Sequence, residues 1–106
     1  MAILKQGDTH SPLTGTIYQA DGKTPLDLTG CSLTITIASV ADEVIVDAKA
    51  ATIVSPTAGT WSYALSSTEA GTSGKYRAEL EITFPDGTVA HCPTEGFLPL
   101  EILATL

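Results

Sequence analysis

Glu79 and Glu81 come nearest to a catalytic pattern in this chain, because they stand two positions apart in a stretch of alternating residues. Alternate residues of a β-strand point to the same face, so both carboxylates would share one surface. Such a pair could supply a general acid and a nucleophile, as in glycoside hydrolysis. Lys75 and Arg77 belong to the same row, however. We interpret this mixed-charge row as the solvent face of a strand.

The two histidines have no catalytic partner in the sequence. His10 lies beside Asp8 in a polar loop, and His91 lies on a predicted hairpin. A nucleophile needs a base within hydrogen-bond reach, and neither histidine belongs to a motif that would place one there. We predict that both histidines are solvated.

Cys31 and Cys92 are far apart in the sequence and form no CxxC pair, so a metal site or a redox motif is not expected. We predict two buried free thiols, the ordinary state in a reducing compartment. A disulfide is the alternative if the strands carrying them are neighbours and the protein ends up outside the cell.

Other ligand-binding motifs are missing from the sequence. It contains no glycine-rich phosphate loop and no zinc spacing, and Asp21-Gly22 and Asp86-Gly87 lack the further ligands of a calcium loop. The sequence therefore predicts no catalytic, cofactor-binding or metal-binding residues.

Charge and hydropathy limit the partners. Twelve acidic and five basic residues give a net charge of -7, which repels nucleic acid and anionic membrane surfaces. No apolar run approaches the roughly 18 residues needed to span a bilayer, and the N-terminus lacks the pattern of a signal peptide. We expect synthesis in the cytoplasm, with no nucleic-acid or membrane partner.

The strand with the clearest pattern carries the two glutamates. Apolar and polar residues alternate strictly from Lys75 to Phe84, which is typical of a half-buried strand. Pro85 fits the first position of a type I turn, with Gly87 left-handed in a bulge. That turn sets the register of the returning strand, and the predicted pairs are Phe84 with Thr88, Ile82 with Ala90 and Leu80 with Cys92. Cys92 would point inward and His91 outward.

Further strands are predicted where apolar residues alternate between turn signals. They cover residues 13–20, 31–38, 60–65 and 97–103, and Pro99 in the last one indicates an edge position or an unpaired N–H. Residues 44–54 are ambiguous. We favour two short strands, 44–46 and 48–54, over one bulged strand or a helix across 40–51. Ser66 to Glu69 has the spacing of a capping box.

The composition indicates an all-β protein. Of the 106 residues, 43% are apolar and 16% charged, with short apolar runs divided by Gly, Pro, Asp and Thr. About seven to eight strands separated by regular turns predict an antiparallel, immunoglobulin-like β-sandwich. We expect one domain over residues 1–106, with residues 1–12 as an opening segment along a sheet edge.

Several motifs together resemble a phage family. They are Asp27 to Gly30 (DxxG), GTWSYAL, GKYRAE and the Asp-Gly hairpin, and GKYRA also resembles the immunoglobulin tyrosine corner. In this order they are similar to the immunoglobulin-like N-terminal domain of phage baseplate upper proteins and related tail or head modules. The resemblance implies a virion structural protein that docks other phage structural proteins, without an active site or cofactor. It also implies a place in the virion, after synthesis in the host bacterial cytoplasm, and a homo-oligomer would agree with it.

Two other functions are open at this point. A carbohydrate-binding module could use Trp61, Tyr18 or Tyr63 as a stacking platform, provided that one of these rings is exposed, although a lone Trp in such a strand is typical of a core anchor. An enzyme would need a pocket that joins His10 or His91 to carboxylates.

Overall fold

A computed structural model of the chain describes residues 2–10, 12–19, 21–93 and 98–105. This part contains eight β-strands and no helix, which confirms the all-β class and the predicted number of strands. The strands are β1 (Ala2–Lys5), β2 (Leu13–Thr16), β3 (Ser32–Ser39), β4 (Val44–Ser55), β5 (Thr60–Tyr63), β6 (Gly74–Thr83), β7 (Val89–Cys92) and β8 (Leu98–Leu103).

The strands form one mixed sheet in the order β1-β8-β6-β3-β4-β5-β2, and β7 pairs with β6. The predicted antiparallel sandwich is not confirmed in full: the described strand pairs are antiparallel except for β1, which pairs with β8 in parallel. These two strands are joined by almost the whole chain, so no hairpin forces them to run in opposite directions. β1, within the predicted opening segment, lies at an edge of the sheet.

β6 pairs with three strands, more than any other strand of the described part. β3 pairs with one edge of β6, while β8 pairs with the first half of the other edge and β7 with the second half. The inward side chains of β6 are buried, and its charged side chains lie on the outer face. The alternation in the sequence therefore correctly predicted that the charged side chains of this strand lie on its outer face.

The β6–β7 hairpin has the predicted register. The Phe84 N–H donates to the Thr88 carbonyl at 2.8 Å, and Gly87 has a φ of 87°. Leu80 pairs with Cys92, so the Cys92 side chain points inward and that of His91 outward. Pro85 fixed this register because a proline at a ladder position would leave its partner without a hydrogen bond.

β4 is one strand of twelve residues, so the two-strand interpretation was wrong and the bulged alternative was right. The register with β3 shifts between Lys49 and Val46, where Ala48 has a φ of 49°. The Ala48 N–H donates to Thr36 Oγ1 at 3.1 Å, which satisfies a group that the bulge frees from the ladder. β4 continues past the bulge to pair with β5, so the sheet curls into a half-barrel.

Several strand ends differ from the predictions. β2 ends at Thr16 instead of Ala20, although Tyr18 still forms an isolated bridge with Pro25, and β5 ends at Tyr63. Two predicted strand limits lie outside the described residues, namely the end at Ala20 and the start at Phe97, within residues 94–97. β8 lies between β1 and β6, so Pro99 is not on an edge strand; it pairs with Arg77 of β6 and lies one residue before the stretch of β8 that pairs with β1.

The core fills the concave side of the curled sheet. Trp61 on β5 is 5% exposed and lies over Gly15 on the neighbouring strand β2. The Tyr76 hydroxyl donates to the Thr72 carbonyl at 2.7 Å, which is the hydrogen bond of a tyrosine corner. The largest fully buried side chains are Leu28, Ile35, Ile37, Val46, Leu80, Ile82 and Ile102.

Candidate functional site

The outer face of β6 holds the glutamates with which a catalytic pair was considered. Glu79 lies next to Thr36 of β3, and Glu81 lies opposite His91 of β7, with 3.7 Å between Oε2 and the histidine Nε2. Both members of the Glu81–His91 pair are about half exposed, so solvent screens their interaction. Arg77 forms an ion pair with Asp42 on the same face. The row is therefore the mixed-charge solvent face that the sequence predicted.

The other histidine, His10, lies in a different segment of the chain. His10 is exposed in the segment that follows β1, as expected for a solvated loop residue. Within the described ranges, no three His, Cys, Asp or Glu side chains come together as metal ligands would. No helix of the described part is long and apolar enough to cross a bilayer.

Both cysteines are free thiols, as predicted, although each is only half-buried. Burial raises the pKa of the Cys92 thiol. Burial, together with the negative charges of Asp27 and Asp86, raises the pKa of the Cys31 thiol. A raised pKa lowers the fraction of thiolate, so neither cysteine has the character of an activated nucleophile.

Glu69 is the buried charged residue of the core region, and the sequence did not indicate its partners. It accepts hydrogen bonds from Lys49 Nζ at 2.6 Å, from the Tyr63 hydroxyl at 3.0 Å and from the Ser66 N–H at 2.9 Å. The Glu69 N–H donates in return to Ser66 Oγ at 3.1 Å, which confirms the capping box, here in a turn. The spacing of Ser66 and Glu69 was the only signal of this cluster in the sequence.

Electrostatics hold Glu69 in its ionised form. Burial opposes ionisation most strongly, but the bonds from Lys49, Ser66 and Tyr63 outweigh it and lower the pKa of this carboxyl. Burial and the bond to Glu69 raise the pKa of Tyr63 to about 12. Both carboxylate oxygens of Glu69 accept hydrogen bonds from other members of the cluster, which suits a structural junction between β4, β5 and the turn after β5.

An apolar cleft opens where the β2 end of the curled sheet faces β6, β7 and β8. Its volume is about 210 Å³, and one wall is formed by β2 and the indole of Trp61 while the other is formed by β6, β7 and β8. The lining residues are Leu13, Thr14, Gly15, Thr16, Trp61, Ala78, Cys92, Leu98, Pro99 and Leu100. The lining is mostly apolar, so the cleft suits a hydrophobic side chain better than a polar substrate.

The aromatic residues considered as a sugar platform are mostly engaged elsewhere. Trp61 is the core anchor that the sequence favoured, and the hydroxyl of Tyr63 is bound to Glu69. Tyr18 is 50% exposed and is the one ring of the three that solvent can reach freely. Neither this arrangement nor the comparisons below favour the carbohydrate-binding alternative.

The ends of the sheet are open edges. β1 and β2 stand at the two ends of the strand order, and each pairs with a single neighbour among the described strands. The Ile17 N–H donates to the Gly59 carbonyl at 2.8 Å, which fixes the hydrogen-bonded positions of the β2–β5 ladder. Because such positions alternate in antiparallel pairs, the backbone groups of Thr14 and Thr16 point away from β5. They are available to an additional strand.

Comparisons with known proteins show the family of this chain and a solved structure with a similar fold. The family model described as the BppU N-terminal domain matches residues 4–91. A solved structure, the crystal structure of CopC from Methylosinus trichosporium OB3b, is similar with a TM-score of 0.53 and 10% sequence identity. The similarity covers 97% of this chain and 83% of that one, and at this identity it concerns the fold alone. No curated protein matches the sequence.

Proposed function

The chain belongs to the BppU N-terminal domain family, the N-terminal domain of phage baseplate upper proteins, and from this we propose that it acts in the virion by binding other phage structural proteins. The match over residues 4–91 is the observation that carries the proposal, because it covers strands β2 to β6 completely and β1 and β7 in part. The family is a phage structural one. We propose accordingly that the protein works without catalysis, cofactor or metal.

Open sheet edges provide a physical basis for such binding. An unpaired edge strand offers a row of N–H and C=O groups, and a partner can add a strand to it. β2 has no charged residue to protect its edge, since it reads LTGT. The apolar cleft lies beside this edge and could accept a side chain of the added strand. We propose the β2 edge as the main docking site.

The remaining features of the proposal follow from charge and fold. A net charge of -7 favours protein partners over nucleic acid or anionic membranes. We propose that residues 1–106 form a single immunoglobulin-like domain, supported by one continuous cluster of buried side chains. We also propose that the protein is made in the host bacterial cytoplasm, joins the virion during assembly and forms a homo-oligomer.

A binding experiment with the baseplate proteins of the source phage tests this function. Purified chain is mixed with each baseplate component, and complexes are measured by light scattering after size exclusion. Thr14→Pro removes an N–H from the open side of β2, whereas Thr14→Val keeps it and serves as the matched control. We expect the proline variant to lose binding and the valine variant to retain it. Binding to none of the components would refute the proposed function, and equal binding by both variants would refute the β2 site.

A further inference from the structure

The outer face of β6 carries a charge row that is complementary to itself. Its outward side chains are Lys75, Arg77, Glu79 and Glu81, so two cations are followed by two carboxylates. A rotation of the row by 180° about its midpoint, between Arg77 and Glu79, brings each cation to the position of a carboxylate. This is the symmetry that an isologous two-fold contact requires, because the same surface is then used by both copies.

The neighbouring strand leaves room for a facing surface. On β3 the outward residues Thr34, Thr36 and Ala38 pair with Glu81, Glu79 and Arg77, and all three have short side chains. Beside them lies a shallow depression of about 180 Å³, lined by Thr36, Ala38, Arg77 and Glu79. Small residues on β3 therefore keep the charged row of β6 accessible from outside.

We propose that two copies of this chain associate through the outer faces of their β6 strands, with Lys75 of each copy facing Glu81 of the other. Arg77 and Glu79 face each other in the same way, nearer to the two-fold axis. The inference gives a surface to the homo-oligomer of the proposed function and does not depend on docking at the β2 edge.

The geometry of stacked sheets allows these contacts. Lys75 and Glu81 each lie three residues from the midpoint of the row, which is about 10 Å along an extended strand. Facing sheets cross at about 30°, so the two ends of the rows are displaced by about 5 Å. The long side chains of lysine and glutamate can span this displacement. The four contacts can therefore form in one arrangement.

Charged neighbours within the same copy weaken the proposed contact between copies, but they leave the order of charges along β6 unchanged. Arg77 is already paired with Asp42, Lys75 lies next to Glu101 in the ladder, and Glu81 lies near His91. The four charges of the row are exposed or half-exposed and can interact with more than one group. A contact face four strands wide and seven residues long has an area of about 450 Å² per copy, which is about half of a standard interface. We therefore expect weak association, with a Kd of about 0.1 to 1 mM.

Sedimentation velocity on the intact chain, up to about 1 mM, tests the inference. The protein is expected to show a concentration-dependent dimer that weakens as salt is raised, because the paired charges are exposed to solvent. Lys75→Glu and Glu81→Lys each place like charges opposite one another, and each is expected to raise the dimer Kd at least about tenfold. Thermal melts of both variants verify that they are folded.

Mixing the two variants provides the decisive measurement. In an equimolar mixture, the new glutamate of one chain faces the new lysine of the other, while the native Lys75 and Glu81 also face each other. The mixture is expected to dimerise about as strongly as the wild type. Lys23→Glu, in an exposed turn, makes the same change in net charge as Lys75→Glu and is the control.

Three results would overturn this inference. They are a monomer at the highest concentration, a dimer that is indifferent to both charge reversals, and a mixture that associates no better than either variant alone. Binding to baseplate components is measured separately, so a failed dimer with intact baseplate binding leaves the proposed function standing.

Discussion

The indole of Trp61 lies so close to Gly15 that a Cβ at position 15 would come within 2.9 Å of the indole nitrogen. Two further ring atoms would lie at 3.1 and 3.2 Å. Glycine is therefore required at this point of β2 by packing, since its backbone approaches the ring directly. This contact joins the edge strand proposed for docking to the core of the protein.

We predict that Gly15→Ala lowers the free energy of unfolding by about 1 to 3 kcal/mol, the usual effect of overpacking a rigid neighbour. Urea denaturation measures the change. Thr14→Ala, at an exposed position of the same strand, is the control. Phe at position 61 is smaller, so the cost of Gly15→Ala should fall in a Trp61→Phe background. An undiminished cost there would show that the indole is not its cause.

Gly59 is fixed by its backbone surroundings. It has a φ of 67°, and an added Cβ would lie 2.7 Å from the carbonyl oxygens of both Ile17 and Leu26. We predict that Gly59→Ala destabilises the fold by about 3 kcal/mol or more, because backbone strain and a collision with backbone atoms combine. Gly22 has a similar φ of 71° and open space around it. Gly22→Ala should therefore cost only the strain, about 1 to 2 kcal/mol, and similar losses for both variants would contradict the account.

Glu69→Gln tests the buried cluster. The amide has nearly the same shape but lacks the charge that accepts bonds from Lys49 and Tyr63. We predict a loss of about 1.5 to 3 kcal/mol at neutral pH, the range for hydrogen bonds to charged groups. Glu43→Gln, at an exposed position, serves as the control and should change stability little. Equal stabilities for the two variants would show that the ion pair contributes nothing.

The pH dependence of that difference has a defined sign. The pKa of Glu69 is lowered in the fold from the ordinary value of 4.5, so the folded state prefers the carboxylate. Its contribution is fully present above pH 4.5 and is lost as the pH falls through the lower folded pKa. The pKa values of Asp21, Asp27 and Asp86 are also lowered, so these groups change stability in the same pH range. Their effect cancels in the comparison, because the wild type and Glu69→Gln both contain them. The difference between wild type and Glu69→Gln should therefore shrink below pH 4.5, and a constant difference would exclude Glu69 ionisation.

Tyr76→Phe should remove the tyrosine-corner hydrogen bond and leave the ring in place. The expected loss is about 1 kcal/mol, the ordinary net value of one hydrogen bond. Chemical denaturation measures it, with Tyr18→Phe at an exposed ring as the control. The local effect should appear as faster amide exchange around Thr72, whose carbonyl loses its partner. Unchanged exchange there would argue against an anchoring role.

Local patterns were sufficient to predict the central strands and the hairpin. Alternation identified β3 and β6, and Pro85 determined the turn that places Cys92 inward. The single strand β4 was only the alternative interpretation, because Asp47-Ala48 interrupts its pattern. The structure accommodates the interruption with a left-handed residue, Ala48, within the strand. Helix and strand preferences cannot reveal such a bulge, since it depends on a hydroxyl of β3.

Contacts between distant segments were beyond the reach of the sequence. The parallel pairing of β1 with β8 joins residues almost one hundred positions apart, and nothing in AILK specifies its direction. Lys49 meets Glu69 only because the curled sheet brings β4 over the turn after β5. The sequence alone predicted the charge row of β6. That small residues of β3 lie beside this row became known only from the register of the two strands.

The pairing of β1 with β8 has a consequence for the order of folding. Closing a loop of this length costs more chain entropy than closing the hairpins β3–β4 and β6–β7, so β1 should dock after the central strands have formed. Beyond its own ladder, the strand is held by the buried side chain of Leu4 and by the Gly7 N–H, which donates to the Ala70 carbonyl at 2.9 Å. The Gln6 side chain adds a bond to the Gly71 carbonyl and accepts one from the Thr105 N–H. β1 should therefore be the last strand to pair during folding and the first to detach during unfolding. Each detachment of β1 would expose the edge of β8 that it covers.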